Sequence, residues 1–297
     1  MRFANAPVSY GVFGDLTVEG ATTTDELLLT MAGTGYDGSE LGPPGFFGSV
    51  EHLVAAFADA GLDAVGAYVP LHTQLPGQVL DRDLSRMQFT LDELAAVNPG
   101  GLVILADEGN DELLASPRKD PSQRLDADGW RRLVSAVGEA ADQARARGFE
   151  VSFHPHISTF VELPEEIELF LEDTDVALTY DIGHVVLGGG DGVGLFRRWR
   201  DRINHVHIKD VRRAVLEDAR ATHRTDFDDW WAGVATPLGA GDVDLEAFAT
   251  ALLETGYDRW VVVEQDRAPL TPDALDEVVA DQAANLGWLS THLTRTT

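Results

Sequence analysis

The feature that most constrains this chain is an alternation. Short, mostly apolar and often β-branched runs recur along nearly all of its 297 residues, separated by longer segments with helical spacing. Eight of them read as strands: Val8–Val12, Tyr36–Leu41, Ala64–Val69, Leu102–Ala106, Glu150–His154, Val176–Asp181, Ile203–Ile208 and Trp260–Glu264. Runs of this length suit strands buried on both faces of a parallel sheet. Parallel neighbours in turn need helical crossovers. Between the runs, Trp130, Leu133, Val134, Val137, Ala141 and Ala144 fall at helical spacing, and Gly148 stops that helix before Phe149 opens the next strand. Gly61 marks a similar stop. Thr271-Pro272 supplies an N-cap and a first-turn proline for a last helix with the stripe Leu275, Val279, Leu286 and Leu289.

Eight strands alternating with helices predict an α/β fold, a (β/α)8 TIM barrel, as a single domain over residues 1–297. The competing fold is a doubly wound open sheet, which usually carries a glycine-rich loop after its first strand. Here that strand runs into Gly11-Val12-Phe13-Gly14-Asp15, which is not G-x-G-x-x-G, and no Walker sequence occurs. No linker or low-complexity tract divides the chain. Two long polar stretches, Asn110–Asp126 and Arg220–Asp242, are expected to form loops over an active-site mouth.

Charge narrows the partners. With 22 Lys+Arg against 50 Asp+Glu the net charge is −28, which disfavours nucleic acid and anionic membrane surfaces. There is no Cys, hence no disulfide, thiolate metal ligand or Cys nucleophile. No apolar run approaches the roughly 18 residues that span a bilayer. The N-terminus leads directly into a strand-like segment, so a cytoplasmic protein is the expectation, with a homo-oligomer left open.

Barrel enzymes work at the C-terminal ends of their strands. Glu40 ends the second strand; His72 follows the third; Asp107 and Glu108 follow the fourth; His154, His156 and then Glu162 follow the fifth. Asp181 ends the sixth, with His184 behind it; the seventh carries His205, His207, Lys209 and Asp210; Glu264 ends the eighth, before Gln265 and Asp266. Carboxylates closing apolar runs such as V-V-V-E need a counter-charge, and basic residues are few. A divalent cation would serve several of them, and a nitrogen-plus-carboxylate donor set without sulfur points to Mn²⁺ first, then Co²⁺, Mg²⁺ or Zn²⁺. His205 and His207 point to the same face of their strand, and His207, nearer its end, is the better ligand.

These residues sit in motifs that resemble the sugar phosphate isomerase/epimerase superfamily, the xylose isomerase-like TIM barrels. The motifs are H-P-H-I-S-T-F-V-E (154–162), Y-D-I-G-H (180–184) with G-G-G-D (188–191), H-V-H-I-K-D-V (205–211), P-L-G-A-G-D-V-D (237–244) and V-V-V-E-Q-D (261–266). Y-D-G-S-E-L-G (36–42) also fits, and the set is most similar to the inosose dehydratase branch. The resemblance implies a metal held by Asp181, His207 and Glu264. The family places a Glu near the position of His154; here Glu162 is taken as the fourth ligand, with His154 and His156 as alternatives or substrate contacts. It further implies His184 and Arg213 as substrate-contacting residues, and His72 is added to these.

The implied chemistry removes an α-proton from a keto-polyol through a metal-stabilised enolate, with Glu264, Glu162 or His156 as base. A dehydratase then expels a β-hydroxyl protonated by His184 or Lys209; a ketose epimerase or isomerase returns the proton instead. An inosose dehydratase-like lyase is the first reading and the epimerase/isomerase the second. An endonuclease of the same barrel is opposed by the charge. A non-catalytic sugar-binding barrel is opposed by the nearly complete ligand set.

Overall fold

The structure, a computed structural model, describes residues 1–12, 23–116, 119, 121–226, 230–231, 233–267 and 271–294. Its centre is a ring of parallel strands: β1 (Arg2–Asn5), β2 (Gly38–Leu41), β3 (Asp63–Leu71), β4 (Leu102–Asp107), β5 (Glu150–Phe153), β6 (Ala177–Asp181), β7 (Ile203–Ile208) and β8 (Trp260–Val263). They hydrogen-bond in the order β1-β8-β7-β6-β5-β4-β3-β2 and close into a barrel. Closure is made by β1, which pairs Arg2–Asn5 with Trp260–Val263 on one side and Ala4 and Asn5 with Gly38 and Ser39 on the other. An open sheet is thereby excluded.

One helix follows each strand on the outside: α1 (Thr24–Thr34), α2 (Val50–Ala60), α3 (Gly77–Val97), α4 (Ala127–Ala146), α5 (Pro164–Asp173), α6 (Gly192–Trp199), α7 (Leu245–Glu254) and α8 (Leu275–His292). Local chemistry sets their ends. The Thr23 and Glu26 side chains form a reciprocal capping box on α1. Asp126 caps α4, and Gly61 ends α2 in the left-handed conformation at φ 66°. Stacked rings such as Phe153 on Phe170, with centroids 4.2 Å apart, lock helices onto the barrel. In α8 the buried position is Val278 where the sequence stripe expects Val279, a slip of one residue. Among the described residues no helix is long and apolar enough to cross a membrane.

The first strand is the main correction to the sequence reading. Strand pairing falls on Arg2–Asn5, and Pro7–Tyr10, which overlaps the expected strand Val8–Val12, is a 3₁₀ turn. Pro7 opens it without needing a hydrogen bond from its nitrogen, and Gly11 closes it at φ 73°. Phe13, Gly14 and Asp15, read as the exit of that strand, lie outside the described residues.

The stretches expected as loops carry more structure than anticipated. The first holds a short helix, Asp111–Leu114, and a turn at Pro121–Gln123. The second continues a helix, Arg213–Thr222, and returns through Ala235–Thr236, which pairs antiparallel with Asp210–Val211. Residues 117–118, 120, 227–229 and 232 of these stretches lie outside the described residues.

Candidate metal centre

Four side chains from the ends of four consecutive strands converge at the C-terminal mouth. His154 follows β5, Asp181 ends β6, His207 is on β7 and Glu264 follows β8; one nitrogen or oxygen of each lies within 4.8 Å of the others. His154 Nε2 is 3.1 Å from His207 Nδ1, and His207 Nδ1 is 3.2 Å from Glu264 Oε2. Donors bound at about 2.0–2.6 Å to one ion would lie at comparable separations.

Local structure explains how each donor is aimed. Asp181 is both the last residue of β6 and the N-cap of a short helix, Ile182–Leu187: its Oδ1 accepts the His184 backbone N–H at 3.0 Å. Its Oδ2 is buried and faces the cluster, accepts no hydrogen bond of regular geometry, and has the Lys209 ammonium 3.1 Å away. A buried carboxylate oxygen so placed needs positive charge beside it, which the ammonium supplies and a bound metal ion would reinforce. His207 is oriented from behind, where its Nε2 is 2.9 Å from Glu40 Oε1, leaving Nδ1 for the cluster. The same Glu40 oxygen is 2.7 Å from His205 Nε2 deeper in the barrel. A carboxylate behind a ligating imidazole fixes its tautomer and strengthens it as a ligand. Burial alone would depress the His207 pKa, but the Glu264 and Glu40 carboxylates outweigh it and raise it.

A second layer surrounds these donors. Lys209 Nζ lies 3.1 Å from Asp181 Oδ2, 3.0 Å from Glu264 Oε2 and 3.0 Å from Asp266 Oδ2, and 2.9 Å from His184 Nε2. Burial works against its charge, but Asp181, Asp266 and Glu264 together raise its pKa, so it is a fixed ammonium. Gly183 leaves room for it, since a Cβ there would meet the Lys209 stem at 2.9 Å. Burial, with His156 and the Lys209 ammonium beside it, holds the His184 pKa well below the usual imidazole value. Burial, together with Lys209, pushes His156 down to about 4, and its Nδ1–H donates to the Ile157 carbonyl at 2.6 Å. The His156 and His184 rings lie 3.8 Å apart, and Trp231 stacks parallel to His184 at 5.6 Å, forming an aromatic wall.

The remaining sequence-derived candidates are placed as follows. Glu162 is buried outside these groups of donors: its Oε2 accepts the Ser158 N–H at 2.9 Å, so it clasps the β5 loop, and His154 stands in the cluster where Glu162 was expected. His154 follows β5 directly, whereas Glu162 is carried away by the turn that closes with His156 N–H on the Val161 carbonyl. Arg213 is exposed at the start of its helix and is not brought to the cluster. His72 lies on the opposite rim, its Nδ1 2.9 Å from Asp83 Oδ2. In the sequence Glu40 is marked only as a strand end; the paired inward histidines of β7 signal that a buried acceptor is needed but not which residue supplies it. Tyr68, whose hydroxyl donates to Glu108 Oε1 at 2.7 Å, escaped notice inside an apolar strand.

Fold and site together define an eight-stranded β/α barrel with a buried two-histidine, two-carboxylate group suited to a divalent cation. The chain belongs to the xylose isomerase-like TIM barrel family, whose description matches residues 29–290. It is 31% identical over 281 residues to the inosose dehydratase of Geobacillus kaustophilus (strain HTA426), covering 90% of this chain and 88% of that protein. It is 32% identical over 173 residues to the inosose dehydratase of Lacticaseibacillus casei, covering 57% of this chain and 58% of that one. Among solved structures, the IOLI protein with a binding zinc atom superposes with a TM-score of 0.72 at 16% identity, over 99% of this chain and 100% of that one.

Proposed function

We propose that this chain is a divalent-metal-dependent lyase that dehydrates a keto-inositol, with Mn²⁺ as the preferred ion. The observation that carries the reading is the buried group His154, Asp181, His207 and Glu264 at the mouth of the barrel. The extended similarity to an inosose dehydratase supports the substrate class. Two carboxylates and two imidazoles, with no sulfur, suit Mn²⁺ or Co²⁺, and Zn²⁺ and Mg²⁺ also fall within their range. When bound, such a cation supplies Lewis-acid stabilisation of negative charge on a carbonyl oxygen.

The chain's own residues do the rest. Glu264 takes the α-proton, from a position fixed by His207 and Lys209. His184 holds a substrate hydroxyl as a neutral imidazole, and Lys209, engaged with Asp181, Glu264 and Asp266, fixes that ring by donating to its Nε2. His154 serves as the metal ligand in place of Glu162. The His156, His184 and Trp231 rings offer a surface to the C–H face of a flat polyol ring and exclude water from it.

The test is mass. Inosose incubated with enzyme and Mn²⁺ is expected to lose one water, giving a product with new absorbance. Chelation should abolish this, and Mn²⁺ or Co²⁺ should restore it. An inosose of unchanged mass beside a ketohexose that epimerises would overturn the reading in favour of the ketose epimerase. Glu264→Gln should lower turnover by roughly 10²-fold or more.

A further inference from the structure

The β-hydroxyl that leaves in a dehydration needs a proton, and Lys209 and His184 are poor sources of one. Lys209 is gripped by three carboxylates, and the His184 nitrogen that faces it accepts its hydrogen bond. We infer that Glu108, steadied by Tyr68, is the acid that protonates the departing hydroxyl. The assignment rests on the dehydratase reading above.

Topology places the pair. In the closed order β1-β8-β7-β6-β5-β4-β3-β2, β4 stands four strands from β8 and β3 four from β7. In an eight-stranded ring that is diametrically opposite. Glu108 follows the last residue of β4 and Tyr68 lies on β3, so both stand on the side of the ring opposite Glu264 and His207. The Tyr68 ring meets the His154 ring edge-on, with centroids 6.5 Å apart, and its phenol lies within reach of the Glu264 charge. Its hydroxyl donates to Glu108 Oε1 at 2.7 Å. A ring substrate held between the two sides presents one face to Glu264 and the other to Glu108.

The chemistry suits a carboxylic acid. Both residues are only half-buried, open to a ligand in the mouth. Burial raises the Glu108 pKa against the opposing Tyr68 hydrogen bond and the nearby His72, and Asp107 and Asp83 add to the rise. In the step itself, Glu264 accepts the α-proton and the C–H electron pair becomes the new carbon–carbon double bond. The β C–O bond breaks with its electron pair on oxygen, and the Glu108 proton completes a water molecule. Glu108 is left as a carboxylate that keeps the Tyr68 hydrogen bond, and solvent exchange resets both acids. No oxidant or reductant is needed. Tyr68 is a positioning residue: it touches Glu108, not the breaking bond.

The experiment separates proton removal from water loss. Wild type, Glu108→Gln, Glu108→Asp and Tyr68→Phe are given inosose and Mn²⁺ in D₂O, and both water loss and α-deuterium in unreacted substrate are followed. Glu108→Gln is expected to lose water about 10²-fold more slowly while still exchanging the α-proton. A substrate with fluoride in place of the leaving hydroxyl, which departs without a proton, should react with Glu108→Gln at close to the wild-type rate. Glu108→Asp, still an acid, should lose less than Glu108→Gln, and Tyr68→Phe should lose about tenfold with exchange intact. Water loss by Glu108→Gln within about threefold of wild type would overturn the assignment. So would equal loss of exchange and dehydration in Glu108→Gln and Glu108→Asp with Mn²⁺ affinity unchanged, because the residue would then act before the leaving step. Failure of the dehydratase reading looks different: wild type itself leaves inosose at full mass, and the acid role falls with it.

Discussion

The Glu162 carboxylate is buried, yet it is answered by backbone and a lysine instead of by imidazoles. Burial, with Glu166 beside it, lifts its pKa from 4.5 to about 7 against the pull of Lys119 and the Ser158 N–H. A carboxyl that holds its proton more tightly folded than unfolded favours folding most at low pH, and that contribution is lost as pH rises through about 7. Wild-type stability relative to Glu162→Gln should therefore fall between pH 4.5 and about 7, by about 3 kcal/mol at most, and then level off. Urea unfolding of both proteins across that range checks this, and a pH-independent difference would refute it. The sequence made Asp181, His207 and Glu264 visible because each closes an apolar strand. It favoured Glu162 over His154 because a carboxylate was expected by family likeness, and spacing alone does not show which way the turn after β5 carries a side chain. Glu40 was beyond reach for another reason: its contacts with His205 and His207 span 165 and 167 residues and exist only once the barrel closes.

At the level of elements, the loop Pro237–Val243 shows why a motif can be read without its cause. Asp210, fully buried after β7, accepts backbone N–H bonds from Val211, Gly239, Gly241 and Val243 at 2.9–3.1 Å. The P-L-G-A-G-D run wraps around that one carboxylate. Gly239 turns the chain at φ 85°, and a Cβ at Gly241 would meet Asp210 Oδ1 at 2.2 Å. Removing the acceptor strands several buried N–H groups, so Asp210→Ala should cost about 3 kcal/mol or more. Gly241→Ala should destabilise through the same contact. Denaturant midpoints measure both, and a change under about 0.5 kcal/mol in each would show that the loop does not depend on the clasp. Seven of the strands were legible in the sequence, most of them as apolar runs, although β2 (Gly38–Leu41) holds Leu41 as its one large apolar residue. The first was not, because Arg2–Asn5 is short and begins with a charged residue, while the apolar Val8–Val12 stretch lies between the turn-forming Pro7 and Gly11.

Over the whole molecule, two electrostatic effects act on stability and can be told apart. A net charge of −28 repels itself, and monovalent salt should raise the melting temperature by screening that repulsion. The second effect is local: the Asp181 and Glu264 carboxylates come together at the ends of β6 and β8, with Lys209 Nζ 3.1 and 3.0 Å from their facing oxygens. An ion bridging β5 to β8 stabilises the folded state alone, by about 2.7 kcal/mol at a hundredfold excess over its dissociation constant. At about 2.1 cal/mol/K of unfolding entropy per residue, this is roughly 4 °C for a chain of this length. Mn²⁺ added to chelator-treated protein should therefore raise the melting temperature by that amount even in salt high enough to have exhausted screening. Asp181→Asn, which can still cap its helix, and His207→Ala should keep the salt effect and lose most of the Mn²⁺ effect. If Mn²⁺ stabilised all three proteins equally, or no more than the same ionic strength of NaCl, these four side chains would not be a cation site.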